Sequence, residues 1–263
     1  MKIYAMNLQG AQKRLKTLSS RFDAAGLSFK RVEGIDGRLL DQSEIDRVVK
    51  KSGRWGRLTP GEVGCFLSHR ACWKTLIGDG GRYGAIFEDD VLLGENAGAI
   101  LGSSDWIPEA ADIVKLEATA SRVYLDLAEG AVVSGRKVQR LRSSHYCAAG
   151  YIVSRDCAQR LLAESETFCE AVDDFLFSAL SPVFTSSKIY QLSPAVCIQE
   201  WGAVRDGQTH DPATSIEGRE SKTEARLPFA MRLSEVCAKE TKALINKTLS
   251  AAGVRQRQQV EFR

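Results

Sequence analysis

The stretch Gly84-Ala85-Ile86-Phe87-Glu88-Asp89-Asp90-Val91-Leu92-Leu93 decides how this chain is read. A short apolar run flanked by glycine has the pattern of a buried strand in a parallel sheet. Three consecutive carboxylates then interrupt it. Burying them unpaired within the strand would cost several kcal/mol each, at least roughly, so they belong at its end, facing a cleft. Side chains alternate along a strand, which puts Glu88 and Asp90 on one face and Asp89 on the other. Two carboxylates on one face at a strand's C-terminal end suit a hard divalent cation that also holds phosphate oxygens. A solvated acidic turn between two strands fits the same residues.

Around this stretch the chain has 263 residues, 44% hydrophobic and 26% charged, with a net charge of +3. That is enough for one large α/β domain, and it argues against wholesale disorder. No run reaches the roughly 18 apolar residues of a membrane span. Met1 to Leu8 is too short and soon too polar for a signal peptide, and reads as a first strand. Seven scattered cysteines without a C-x-x-C pair fit reduced thiols, so a cytoplasmic setting is expected. Only three histidines are present, which excludes a His-rich metal site.

A helix over 11–24 and a strand over 27–32 complete a β-α-β opening, with turn-rich Glu33-Gly34-Ile35-Asp36-Gly37 at its end. Residues 41–51 look helical. Thr59-Pro60-Gly61-Glu62 starts a helix that runs to Gly78–Gly81, with Thr59 as cap and proline in the first position. Further strands are expected at 113–116, at 148–153 and across 189–199. A strand pair is expected within 121–142, turning at Glu129-Gly130. A helix follows Ser154. The division is residues 1–202 as the main domain and 203–263 as a polar loop and basic helical extension. From Gly218 onward ten Lys/Arg face five Glu, and Phe229, Leu233, Val236, Cys237, Leu244 and Ile245 can form an apolar helix side.

The block Thr59-Pro60-Gly61-Glu62-Val63-Gly64-Cys65-Phe66-Leu67-Ser68-His69 resembles glycosyltransferase family 25, the bacterial lipooligosaccharide galactosyltransferases and their collagen-modifying relatives. Asn7-Leu8 with Arg14, Ile35-Asp36-Gly37, Glu88-Asp89-Asp90, Gly150 to Ser154, Val172-Asp173-Asp174 and Pro194-Ala195 with Gln199 are similar to the family's other motifs, in the same order. The resemblance covers roughly residues 1–200. It implies a GT-A-like nucleotide-diphospho-sugar transferase fold, α/β with a mostly parallel central sheet flanked by helices. It also implies an inverting, metal-dependent enzyme that uses a UDP-sugar, most often UDP-galactose, and a lipid-linked or oligosaccharide acceptor. No nucleic-acid partner is expected.

Such a reaction needs a cation to neutralise the departing diphosphate, a base for the acceptor hydroxyl and a cleft that orients both sugars. Glu88 and Asp90 fit the cation, Mn²⁺ or Mg²⁺, with Asp89 set to touch ribose or sugar. Asp173 and Asp174, adjacent carboxylates in an apolar context, are the candidates for the base; capping a helix is their alternative. Asn7 and Arg14 suit uracil or diphosphate, Asp36 ribose or base, and Ser68 and His69 a donor-site hydrogen bond; Gln199 joins them through the resemblance. His210 is a further candidate for the cation. Among the tryptophans, Trp55 in its basic glycine loop is the candidate sugar platform, whereas Trp73, Trp106 and Trp201 read as core. The basic tail fits adhesion to anionic lipid at the cytoplasmic membrane; a solvated helix packed on the domain is the alternative. Two rivals use the same residues: a Mg²⁺-dependent phosphohydrolase, which needs an aspartate where the first strand ends in Asn7, and a non-catalytic glycan- or nucleotide-binding relative, which would not need the carboxylate triad.

Overall fold

Alternation along the first strand, β1 (Lys2–Leu8), explains how the molecule is layered. Tyr4 and Met6 point into one core and Ile3 and Ala5 into another, so both faces of the strand are covered. The computed structural model describes residues 1–128, 130–202 and 229–263. In chain order the remaining elements are α1 (Gln12–Ala24), β2 (Lys30–Gly34), α2 (Gln42–Val48), α3 (Pro60–Asp79), β3 (Tyr83–Phe87), β4 (Val91–Leu93), α4 (Ala97–Gly102), β5 (Ile113–Lys115), β6 (Arg122–Asp126), β7 (Val132–Val133), β8 (Arg136–Arg140), β9 (Gly150–Ser154), α5 (Arg155–Glu164), α6 (Val172–Phe177), α7 (Pro182–Ser186), β10 (Ile189–Ser193), β11 (Cys197–Gln199), α8 (Phe229–Ala251) and β12 (Arg255–Gln259).

The central sheet has eight strands in the order β2-β1-β3-β9-β5-β10-β8-β7. Within it β2, β1, β3, β5, β10 and β7 run one way and β9 and β8 the other. This is the α/β architecture with a large, mostly parallel sheet that the sequence leads one to expect. One face packs on α3 and α5 through Phe66, Trp73, Leu76 and Leu161. The other packs on α1 and α4 through Leu18, Phe22 and Ile100.

The start of α3 obeys its local chemistry. Thr59 Oγ1 accepts from the Glu62 amide at 3.3 Å, and Glu62 Oε2 accepts from the Thr59 amide at 2.8 Å. Gly80, at φ 74°, closes the helix in the left-handed conformation. The first turns of α3 press on the loop after β2 so closely that a Cβ on Gly64 would lie 2.5 Å from the Ile35 carbonyl oxygen. Gly64→Ala therefore forces backbone apart, and urea unfolding should show a loss of about 1–3 kcal/mol. An unchanged midpoint would mean that the loop yields freely.

Two local expectations are corrected. The segment 121–142 does not form one hairpin: β6 pairs with β12 and β8 with β10, while the tight turn falls at Ser134-Gly135 between β7 and β8. Glu129 lies outside the described residues. In the C-terminal helix, three residues of the expected apolar side face away from the domain. Val236, Leu244 and Ile245 are 53%, 65% and 46% exposed, whereas Asn246 is buried. The inward face of α8 is polar: Lys242 donates to the Ala179 carbonyl and Asn246 to that of Arg142, and Glu235 pairs with Arg54 at 3.6 Å. Phe229 and Leu233 carry no described side chains. Trp201, read as core, is half exposed.

Candidate active site

Parallel pairing brings the C-terminal ends of β2, β1 and β3 side by side, where open α/β sheets bind ligands. A cleft of about 110 Å³ opens there, lined by Asn7, Arg14, the 34–38 loop, Gly61, Cys65, Ser68, Glu88 and Asp89. The apolar run ends at Phe87, and the carboxylates occupy the turn before β4.

Although the three lie in the turn and not in the strand, their hydrogen bonds still divide them, while Arg14 reaches across to Asp90 at 3.9 Å. Asp89 turns towards β1 and α1: it accepts from Asn7 Nδ2 at 2.7 Å and pairs with Arg14. Glu88 and Asp90 instead both face Gln199 on β11, whose Nε2 stands 3.3 Å from Glu88 Oε2 and 3.4 Å from both Asp90 oxygens. Burial and then the neighbouring charge of Glu88 push Asp90 up to about 7, while Arg14 opposes this. Burial raises Asp89 as well, against the pull of Arg14 and Asn7. Burial is the main cause of both shifts, and the donors gathered here are hard oxygens. Glu88 and Asp90 fit a divalent cation of the Mg²⁺ or Mn²⁺ kind.

Among the described residues a second group converges on the same carboxylate. The ligating atoms of Cys65, His69 and Glu88 all lie within 4.8 Å of one another. His69 is fully buried, and burial drives its imidazole down to about 3, so it is neutral. Trp73 Nε1 donates to the Tyr151 hydroxyl at 2.9 Å, and that hydroxyl lies 2.9 Å from His69 Nδ1. With the indole proton already on the Tyr151 oxygen, the phenolic proton is best used on Nδ1. The imidazole proton then sits on Nε2, which has no hydrogen-bond partner and faces Glu88 Oε1 at 3.5 Å.

The other expected residues divide by what already engages them. Asn7 is 2% exposed and ties four elements together, donating also to the Ala11 carbonyl and accepting from Arg31. Ser68 Oγ accepts from the Ile35 amide at 2.8 Å and donates to the Gly64 carbonyl at 2.7 Å, holding the 34–38 loop to α3. Asp36 caps the turn at 37–39 and takes both arms of Arg38, which lowers its acidity range further. It still borders the cleft.

Asp173 and Asp174 occupy the first turn of α6 and line a different cleft, of about 330 Å³, with Glu62 on its wall. Asp173 is buried and accepts from the amides of Cys147, at 3.1 Å, and Asp174, also at 3.1 Å. The two clefts flank the α3 N-terminus, with Gly61 in one and Glu62 in the other. His210 lies outside the described residues.

A buried ion pair was passed over in the sequence as a strand end. Lys115 and Glu117 are 0% and 1% exposed, with Nζ 3.2 Å from Oε2. Lys115 also donates to the Cys147 carbonyl and sits 4.2 Å from the Phe177 ring centre. Glu117 accepts from the Ala149 amide at 3.0 Å, and burial raises it to about 7. The signal was present: Lys115 and Glu117 fall on one face of an apolar strand with opposite charges. Tyr151, Trp73 and Arg31 gave no such signal, since each looks like an ordinary strand or helix residue.

A carboxylate-rich cleft thus lies where open α/β sheets bind ligands, and comparison with known proteins gives its class. Residues 1–176 match the family model described as glycosyltransferase family 25 (LPS biosynthesis protein). The chain belongs to that family. It is 30% identical over 206 residues to the lipooligosaccharide biosynthesis protein lic2B of Haemophilus influenzae, covering 75% of each chain. It is 29% identical over 213 residues to the lacto-N-neotetraose biosynthesis glycosyltransferase LgtE of Neisseria meningitidis serogroup B, covering 76% of this chain and 74% of the relative. A solved glycosyltransferase involved in glycosylation of the major capsid of PBCV-1 aligns with a TM-score of 0.43 and 9% identity, over 77% of this chain and 93% of that one. No helix among the described residues is long and apolar enough to cross a membrane.

Proposed function

We propose that this glycosyltransferase moves galactose from UDP-galactose, with inversion at the anomeric carbon, to a lipooligosaccharide acceptor, and that it requires Mn²⁺ or Mg²⁺ held by Glu88 and Asp90. The observation that carries the reading is the pair Glu88 and Asp90 gathered on Gln199 at the end of β3, with Arg14 3.9 Å from Asp90 and Glu88 lining the donor cleft. The names of the relatives support the acceptor class. When bound, the cation supplies neutralisation of the charge that develops on the departing diphosphate. In this reading Asp89, held by Asn7 and Arg14, takes the donor's hydroxyls, and Arg14 its phosphates.

In the transfer, an acceptor hydroxyl oxygen bonds to C1 of the sugar as the bond from C1 to the diphosphate oxygen breaks. UDP leaves, and the hydroxyl proton passes to Asp174, the more exposed of the α6 pair. Asp173, fixed by two backbone donors, holds that turn in place. The outward apolar edge of α8, with Lys239 and Lys247 exposed on the same helix, supports contact with anionic lipid at the inner face of the cytoplasmic membrane.

The test is thermal stabilisation and slow donor hydrolysis with a panel of nucleotide sugars, each with Mn²⁺ and with chelator. A shift with UDP-galactose that vanishes in chelator is expected. No response to any UDP-sugar sinks the transferase reading for this site. The same preparation should co-sediment with anionic vesicles at low salt, and its staying in the supernatant removes the lipid contact.

A further inference from the structure

We propose that the cleft on the far side of the α3 N-terminus is a subsite for a neutral hexose of the acceptor, built on Trp55 and Tyr146 as aromatic walls. The proposal rests on the transferase reading and gives it an acceptor-binding surface. Trp55 and Tyr146 are 36% and 37% exposed and both line the 330 Å³ cleft, with Glu62, Glu170, Asp173 and Asp174 as its polar groups. That volume lies within the roughly 300–1,000 Å³ of small-ligand pockets. A hexose presents an apolar face of C–H bonds and a rim of hydroxyl donors. Aromatic walls fit the first and carboxylate acceptors the second. Among the described residues the lining carries four carboxyl groups and no Lys, Arg or His, so an anionic sugar would meet like charge, whereas a neutral one would not.

The aromatic platform is built into the fold. Gly53 and Gly56 exchange backbone hydrogen bonds of 3.0 and 3.1 Å, closing a two-residue turn with Arg54 and Trp55 at its tip. Gly56 supplies φ +83°. Gly53 rests so tightly on the next segment that a Cβ there would stand 2.0 Å from the Cys169 carbonyl oxygen. Glu170 accepts from the Arg54 amide at 2.8 Å, and the Arg54 guanidinium sits 5.2 Å from the Trp55 ring centre. On the opposite wall, Tyr146 precedes Cys147, which holds φ 68° and donates its amide to Asp173. A non-glycine residue in that conformation is uncommon and marks a place where geometry is imposed. The strained turn joins the tyrosine wall to the acidic pair.

Steady-state kinetics with octyl β-galactoside and octyl β-glucoside as acceptors and UDP-galactose as donor test this. Trp55→Ala should raise the acceptor KM about tenfold or more, the equivalent of one 1.4 kcal/mol contact. The KM for UDP-galactose should stay within about twofold, a change worth only about 0.4 kcal/mol. Trp55→Phe should recover most of the loss, and an octyl glucuronide should be a poor acceptor throughout. An unchanged acceptor KM in both Trp55→Ala and Tyr146→Ala overturns the subsite, as does an equal rise in donor KM. If wild type neither binds nor hydrolyses UDP-sugars, the transferase reading has failed. Saturation-transfer NMR with methyl β-galactoside then decides the subsite alone: sugar signals lost in Trp55→Ala sustain it, and no signal in wild type overturns it.

Discussion

Asp90→Asn should lower the transfer rate by about 10³-fold or more, because it removes a charge on which the proposed cation and the departing diphosphate both depend. The same substitution should have an opposite effect on the cation-free fold. Burial and Glu88 raise Asp90 from its ordinary range to about 7 in the native state. The native protein therefore binds more protons than the unfolded chain between about pH 4 and 7, and stability must fall as pH rises through that window. The favourable contribution is complete below the unfolded value and is lost as pH passes the native one. In chelator, the melting temperature of wild type should decline from pH 4.5 to 8 more steeply than that of Asp90→Asn, and saturating Mn²⁺ should remove the difference. Parallel curves would show that the pair is not under the strain inferred for it.

Lys115→Met should be among the most destabilising changes in the molecule. It leaves Glu117, 1% exposed and raised to about 7 by burial, without the ammonium that compensates it. Breaking a buried pair on one side costs about 3–5 kcal/mol, and on the order of 10 °C in melting temperature for a chain of this size. Two further partners of Nζ, the Cys147 carbonyl and the Phe177 ring, go with it. The double change Lys115→Met with Glu117→Gln should recover part of the loss, since the remaining amide carries no charge to compensate. Differential scanning calorimetry on the three proteins checks this. Equal melting of Lys115→Met and wild type would mean that Glu117 is simply protonated at neutral pH and that the pair contributes nothing.

The elements that sequence reading placed well are those settled by near neighbours. The capping box at Thr59 and Glu62, the glycine stop at Gly80 and the apolar-to-acidic switch at Phe87-Glu88 are all written within a few residues. The separation of Asp89 from Glu88 and Asp90 is likewise local: Asn7 bonds the first and Gln199 the other two, although Arg14 reaches both Asp89 and Asp90. What was not legible depends on distant pairing. Nothing near 121–142 says that β6 will be joined by β12, more than a hundred residues later. Which side of α8 meets the domain was not legible either, because that side is held by Lys242, Asn246 and Glu235 through polar contacts, which a count of apolar residues ignores. His69 was singled out, but the Trp73–Tyr151 relay that fixes its ring joins residues 78 apart and has no sequence signature.

The cleft under the β3 carboxylates has a consequence for how the protein comes into being. Every side chain that lines it lies before residue 90, whereas Asp173, Asp174 and Gln199 belong to the later half. Ribosomes deliver the N-terminal portion first, and domains begin to organise as they emerge. β1, β2 and β3 can pair as soon as Phe87 has cleared the exit tunnel, but the other edge of β3 waits for Gly150–Ser154. For the sixty-odd residues in between, a five-residue strand with every side chain apolar or glycine presents unpaired amides and carbonyls. The nascent chain is most exposed to misassociation during that interval, before its second half exists.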